Sequence, residues 1–194
     1  MQLHKRDVVA AATSLLDDYG LADLSMRRLA RELEVSPGAL YWHFANKQQL
    51  LGAVADHVLA PVGRPSGDWS SRVGALCRQV RDALLSHTDG AELVSASFAA
   101  AQSAVMTDVV AQLADAAAEA GVPATNAELT ARTVVYYVLG FTVDEQSRRQ
   151  WDAAGAELPD ASLLTDDQDT RFDFGVRLLI DGILARREHL AENP

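Results

Sequence analysis

The chain has 194 residues and 48% hydrophobic content, enough for one large domain or a small one joined to a medium one. A single cysteine, Cys77, excludes an intrachain disulfide and a cysteine-based zinc site; the longest near-continuous apolar run, Val134 to Val143, is far short of the roughly 20 residues of a membrane-spanning helix. The formal net charge of −10 argues against nucleic acid by its sum but not by its distribution, because residues 1–47 carry six Lys/Arg and six Asp/Glu whereas the rest carry 11 and 21.

The N-terminus passes straight into an amphipathic segment with no apolar signal stretch, so a cytoplasmic protein is expected. Val8, Val9, Ala12, Leu15, Leu16 and Tyr19 follow helical spacing, and Gly20 stands where a C-cap would. Ser25 reads as the N-cap of a short helix, Met26 to Leu33, followed by the break Glu34-Val35-Ser36. Ser36 then caps a brief helix with Pro37 at its first position, ending near Phe44. Asn46 caps the next helix, from Lys47 to about Ala60, and Pro61, Gly63, Pro65 and Gly67 punctuate a linker. Further helices are predicted near 68–87, 91–101, 104–120, 124–149 and 169–190, with turns at Asp89-Gly90, Gly121-Val122-Pro123 and Gly155 to Pro159. The acidic stretch from Gly155 to Asp169 reads as a loop. With no sustained period-2 alternation, the fold class is all-α: a three-helix head at 1–47, a connecting helix and linker at 48–67, and a helical body at 68–194.

Two short helices joined by a three-residue turn, with a supporting helix before them, form the unit that lays its second helix in a DNA major groove. Leu29, Leu33, Val35, Leu40 and Phe44 can supply its core, which leaves Pro37, Gly38, Ala39, Tyr41, Trp42 and His43 facing outward. Small residues at the start of the reading helix let its backbone approach base edges, and the Ala39 methyl suits a thymine methyl. Tyr41, Trp42 and His43 lie a turn later, at the phosphate walls. Arg27 is placed for a phosphate or a guanine edge, and Lys47 adds charge to a helix N-terminus that favours phosphate. Read alone, an aromatic pair on a short helix is more often core than contact; the claim of Leu40 and Phe44 on the inner face, with Arg27 and Lys47 flanking, favours Tyr41 and Trp42 facing outward.

The stretches Leu24-Ser25-Met26-Arg27-Arg28-Leu29-Ala30 and Pro37-Gly38-Ala39-Leu40-Tyr41-Trp42-His43-Phe44-Ala45-Asn46-Lys47 resemble the DNA-binding signature of the TetR family of repressors. Ala83 to Gly90, Leu139 to Gln146 and Phe172 to Gly182 are similar to body segments of the tetracycline-repressor-type C-terminal domain. The resemblance implies DNA contacts at Arg27, Pro37, Gly38, Ala39, Tyr41, Trp42, His43 and Lys47, and dimerisation through the last helices. One departure is Glu34, at a turn position where such repressors often carry Gly; a left-handed backbone there would cost a non-Gly residue about 1 kcal/mol.

In the body, the last helix scarcely has a polar face: Phe172, Val176, Leu179 and Ile183 make one stripe, and Phe174, Leu178 and Ile180 populate much of the rest. Gly175 and Gly182 lie seven apart on one side, where another helix could approach, and Gly140 interrupts the apolar 134–143 segment. Central packing within one chain would explain both helices, as would a two-fold four-helix interface. With the resemblance, the expectation is a homodimer using Gly140, Gly175, Leu178, Leu179, Gly182 and Ile183. Effector-pocket candidates by position are Val80, Val94, Ser97, Phe98, Met106, Tyr136 and Phe141, each of which packed core would also explain. Where tetracycline repressors have a metal-ligating His and drug contacts, this chain has Val94, Phe98 and Ala99, and Gly63, Leu76 and Val80 also differ in kind. Asp144 keeps a carboxylate near a metal-linked position without its imidazole. An apolar or aromatic effector of unread identity is expected, with no cofactor and no metal.

Five scattered histidines at no metal spacing, no nucleophile elbow and no Gly-rich phosphate loop speak against an enzyme. The expected function is a homodimeric transcriptional repressor released from a palindromic double-stranded operator by a small molecule. The alternative is a DNA-binding dimer without an effector, governed by a protein partner or constitutive.

Overall fold

The structure, a computed structural model, describes residues 3–155 and 167–192, with side chains as far as Ala185. Among these residues the secondary structure is helical throughout, in the order α1 (Lys5–Tyr19), α2 (Met26–Glu32), α3 (Pro37–Tyr41), α4 (Lys47–Val58), α5 (Trp69–Leu85), α6 (Gly90–Ala99), α7 (Ala104–Glu119), α8 (Ala124–Ala153) and α9 (Gln168–Glu192). The all-α class is as expected. Most of the loop expected between Gly155 and Asp169 lies outside the described residues. No single described helix is long and apolar enough to cross a membrane.

The chain divides into two compact units, one formed by 1–61 with 82–107 and the other by 62–81 with 108–194. In the first, Val8, Ala12, Leu15 and Leu16 of α1 are buried together with Leu29 of α2, Leu40 of α3, and Leu50, Val54 and Val58 of α4. The head therefore packs on the inner stripe that helical spacing predicts. α4 is joined to the turn between α6 and α7 by a carboxylate. Asp56 accepts from the Ser103 hydroxyl (2.6 Å), the Val105 amide (3.1 Å) and the Ala104 amide (3.2 Å), which satisfies free donors at the start of α7. Gly52 faces this turn so closely that a Cβ would collide with the Gln102 carbonyl oxygen.

In the second unit an ion cluster joins α5, α8 and α9. Arg81 donates to both oxygens of Glu145 (2.8 and 2.9 Å) and to Asp169 (2.7 Å), while Arg149 donates to Glu145 at 2.5 Å. Burial works against the Arg81 charge, but the hydrogen bonds it donates to Glu145 and Asp169 outweigh it and hold its pKa above the ordinary value. Tyr137, Phe141 and Phe172 stack nearby, and the Tyr137 hydroxyl donates to the Phe172 carbonyl at 3.0 Å. Buried Cys77 has its thiol pushed up to about 12 by desolvation. The 175/182 spacing predicts two small residues where another helix can approach, and the structure distinguishes the two. Tyr137 of the chain's own α8 fills the space over Gly175, whereas nothing stands within 4 Å of a Cβ at Gly182.

Candidate nucleic-acid interface

Local signals set the geometry of the head. The Ser25 hydroxyl accepts from the Arg28 amide (3.2 Å) and starts α2. α2 stops in a Schellman turn: the Val35 amide reaches back to the Ala30 carbonyl (2.9 Å), and Glu34 takes the left-handed conformation at φ 53°. The departure from Gly at that turn is thus tolerated, at a cost of about 1 kcal/mol. Pro37 then opens α3 at its first position. α3 is shorter than the expected run to Phe44: the His43 amide makes a tighter, 3₁₀-type bond to the Leu40 carbonyl (2.9 Å), which also accepts a last helical bond from the Phe44 amide (3.0 Å). Asn46 takes an extended backbone and caps α4 by accepting from the Gln49 amide at 2.9 Å. The Gln49 side chain in turn accepts from the Ala45 amide at 3.0 Å. An extended cap two residues after Phe44 leaves α3 no room to continue.

α3 consequently has one buried and one bare side. Leu40 and Phe44 are almost fully enclosed, with the Lys5 ammonium 4.9 Å from the Phe44 ring centroid. Trp42 is 91% exposed and Tyr41 52%. Pro37 and Gly38 are also exposed, and Ala39, His43 and Lys47 are half-buried. A tryptophan so bare presents a large apolar surface that a folded chain normally covers or uses.

The three arginines of α2 are not equivalent. Arg28 is engaged by Asp23 (2.6 Å) and lies 3.8 Å over the Tyr19 ring, so it braces the corner between α1 and α2. Arg27 and Arg31, one helical turn apart, are exposed and form no ion pair among the described residues. Arg31 was not among the sequence candidates, although its i, i+4 spacing from Arg27 was legible. The structure thus brings the eight predicted DNA residues onto one stretch of the first unit, between α2 and the first residue of α4.

The second unit carries another bare surface. On α8, Leu129 and Tyr136 are 65% and 58% exposed; on α9, Phe174 and Leu178 are 63% and 62% exposed. Between these helices runs a groove of about 360 Å³, lined among others by Leu129, Thr130, Thr133, Leu178, Leu179 and Gly182. Gly140 is exposed and open, and Leu179 is half-buried. Ile183 packs inside its own unit with Ala117, Ala120, Val122 and Trp69.

The effector candidates fall on both units. In the first, Val94 and Met106 are fully buried, Phe98 is half-buried, and the buried Ser97 hydroxyl has no hydrogen-bond partner among the described residues. In the second, Val80 is buried, Phe141 belongs to the aromatic stack and Tyr136 points out. None of the seven lines the α8–α9 groove. Asp144 is exposed, and no three His, Cys, Asp or Glu side chains gather as metal ligands among the described residues. The buried carboxylate of this stretch is its neighbour Glu145.

Comparison with known proteins agrees with this geometry. Residues 8–54 match the family model of bacterial regulatory proteins, tetR family, and residues 60–165 match that of the tetracyclin repressor-like C-terminal domain. The chain is 33% identical over 203 residues to the tetracycline repressor protein class A from transposon 1721 of Escherichia coli, covering 96% of this chain and 93% of that one. Among solved structures, BioQ of Mycobacterium smegmatis is similar at 62% identity and TM-score 0.89, covering 95% of this chain and 99% of that chain. BioQ with its natural double-stranded DNA operator is similar at 59% identity and TM-score 0.80, with the same coverage. A TetR variant from Acinetobacter baumannii AYE in complex with minocycline is similar at 29% identity and TM-score 0.77, covering 96% and 99%.

Proposed function

From the premise that this chain belongs to the tetR family of bacterial regulatory proteins, a family of transcriptional regulators rather than enzymes, we propose that it is a homodimeric repressor that binds a palindromic operator and leaves it when a small molecule binds the body. The observation that carries the reading is the bare side of α3, where Trp42 and Tyr41 stand out over a core closed by Leu40 and Phe44. The operator complex of BioQ, at 59% identity, supports DNA binding as such. Arg27, Pro37, Gly38, Ala39, Tyr41, Trp42, His43 and Lys47 are the proposed contacts, with Arg31 added as a further cation. One reading helix spans one half-site, so a second copy is needed for two. The exposed apolar residues of α8 and α9, with Gly140 and Gly182, supply a face for it.

The proposed effector is apolar or aromatic, with one hydrogen-bonding group. The Ser97 hydroxyl supports that group, because a buried hydroxyl without a partner costs about 1–3 kcal/mol. Val80, Val94, Phe98, Met106 and Phe141 remain the apolar candidates, whereas the exposed Tyr136 belongs with the proposed dimer face. The minocycline complex of the Acinetobacter relative supports ligand binding as such, while Val94, Phe98 and Ala99, where tetracycline repressors have a metal-ligating His and drug contacts, disfavour a tetracycline–magnesium chelate.

The test is selection of duplexes from a random pool, followed by a salt titration of the winners. Inverted repeats whose affinity falls steeply with salt are expected. Recovery of no preferred duplex at low ionic strength would overturn the DNA reading. A thermal-shift screen then addresses the effector, since a ligand of the native state raises the midpoint by mass action.

A further inference from the structure

The segment Ala83 to Gly90 ends in a turn that the function above does not use. The turn joins α5 to α6, and it is tied to the corner between α1 and α2 by hydrogen bonds running in both directions. From the head, Asp17 accepts from the Thr88 amide at 3.1 Å, and both its carboxylate oxygens lie 3.0–3.1 Å from His87 Nδ1. The Asp17 backbone carbonyl accepts from the Thr88 hydroxyl at 2.9 Å. From the turn, Asp89 accepts from the Leu21 amide at 2.8 Å. All of these groups belong to the first unit.

Three features show that this clamp is built. Asp89 occupies the N-cap position of α6 and turns one carboxylate oxygen to the head, where it accepts from the Leu21 amide. To do so it holds a left-handed backbone at φ 52°, a conformation uncommon outside glycine. Opposite it, Gly20 sits at φ 79° with the Asp89 oxygen 2.7 Å from where a Cβ would be, so no side chain fits. A left-handed Asp89 on one side meets a glycine without a Cβ on the other, and this close contact fixes the exit direction from α1. The clamped residues immediately precede the loop into α2, whose Arg28 is held by Asp23 and Tyr19 at the same corner.

We propose that Asp17 and Asp89 are positioning residues for operator recognition: they hold the corner between α1 and α2, and so the angle of the reading helix, without touching DNA. This rests on the proposed DNA function and names a further pair of residues for it. A misplaced reading helix loses base contacts while phosphate attraction survives, because only base contacts depend on register. Asp17→Ala and Asp89→Ala should therefore lower affinity for the selected duplex about tenfold, comparable to one mismatched base pair. Affinity for a random duplex of equal length, and its salt dependence, should stay within about twofold.

A purely structural role would lower the thermal midpoint and leave the ratio of specific to random-duplex affinity unchanged well below that midpoint; an unchanged ratio overturns the proposal. Should the alanine variants not fold, Thr88→Val removes only the hydroxyl bond to Asp17, and the same ratio is read, with a measurable fall expected and a constant ratio decisive against it. If the wild-type chain selects no duplex, it is the DNA reading that fails, and that result is known before any variant is made.

Discussion

Two regions of this protein leave large apolar side chains in the open, and they differ in what surrounds them. On α3, Tyr41 and Trp42 sit among small residues, with the cations Arg27, Arg31 and Lys47 near them in sequence. On α8 and α9, Leu129 and Leu178 line a largely apolar groove with Thr130, Thr133 and the open Gly182, and Tyr136 and Phe174 are exposed on the same two helices. Exposure by itself says only that something covers each face. The surroundings say what: cations and bare backbone suit phosphates and base edges, whereas a groove beside projecting apolar side chains suits a surface of its own kind. The lesson is that an exposed aromatic is read from its neighbours, and each experiment below removes one feature from one face.

The largest effect is expected from Leu178→Glu. Leu178 is 62% exposed, so the change costs little within one chain, but it places charges where two copies would meet. Sedimentation should show monomers, and operator affinity should fall by about 1000-fold, to the non-specific level. Cys77 supplies the control for folding. With its thiol pushed up to about 12, only roughly one in 10,000 is ionised at pH 8, and burial blocks access as well. Alkylation should stay slow in the variant; fast labelling would mean that the fold had opened. A folded variant that remains dimeric would break the comparison at its body end.

Trp42→Ala addresses the other face and should act on DNA alone. At 91% exposure the side chain contributes almost nothing to the core, so the thermal midpoint should be unchanged. Operator affinity should drop about tenfold or more, as for an aromatic at the heart of an interface. A lowered midpoint with intact DNA binding would move Trp42 from the reading surface to a structural role.

How much of this was visible beforehand follows from the range of each interaction. The end of α1 and the starts of α2, α3 and α4 were legible because their signals are local: Gly20, Ser25, Pro37 and Asn46 each act within a few residues, whereas the end of α3 was placed too late. The outward turn of Tyr41 and Trp42 followed from Leu40 and Phe44 holding the inner side. Long-range partners left no such mark. Nothing near Glu145 announces that Arg81, 64 residues earlier, will pair with it, and attention to Asp144 missed the buried carboxylate beside it. Arg28 looked as free as Arg27 until Asp23 and Tyr19 were seen to hold it. Gly175 and Gly182 are equivalent by helical spacing, and only the position of Tyr137 on α8 separates them.

The smallest effect, and the finest discrimination, belongs to Lys47. It stands at the first position of α4, where free backbone amides and the helix dipole already favour an anion, and no ion pair engages it among the described residues. If it meets a phosphate, Lys47→Ala should weaken operator and random duplex alike, by a few-fold at moderate salt, and should flatten the slope of log affinity against log salt by about one unit. If it meets a base edge instead, the loss should concentrate on the operator and the slope should hardly move. The two outcomes separate because releasing a counterion is blind to sequence, whereas a hydrogen bond to a base is not. An unchanged slope with unchanged affinity would remove Lys47 from the face altogether, leaving Arg27 and Arg31 as its cations and shifting the expected phosphate contacts toward α2.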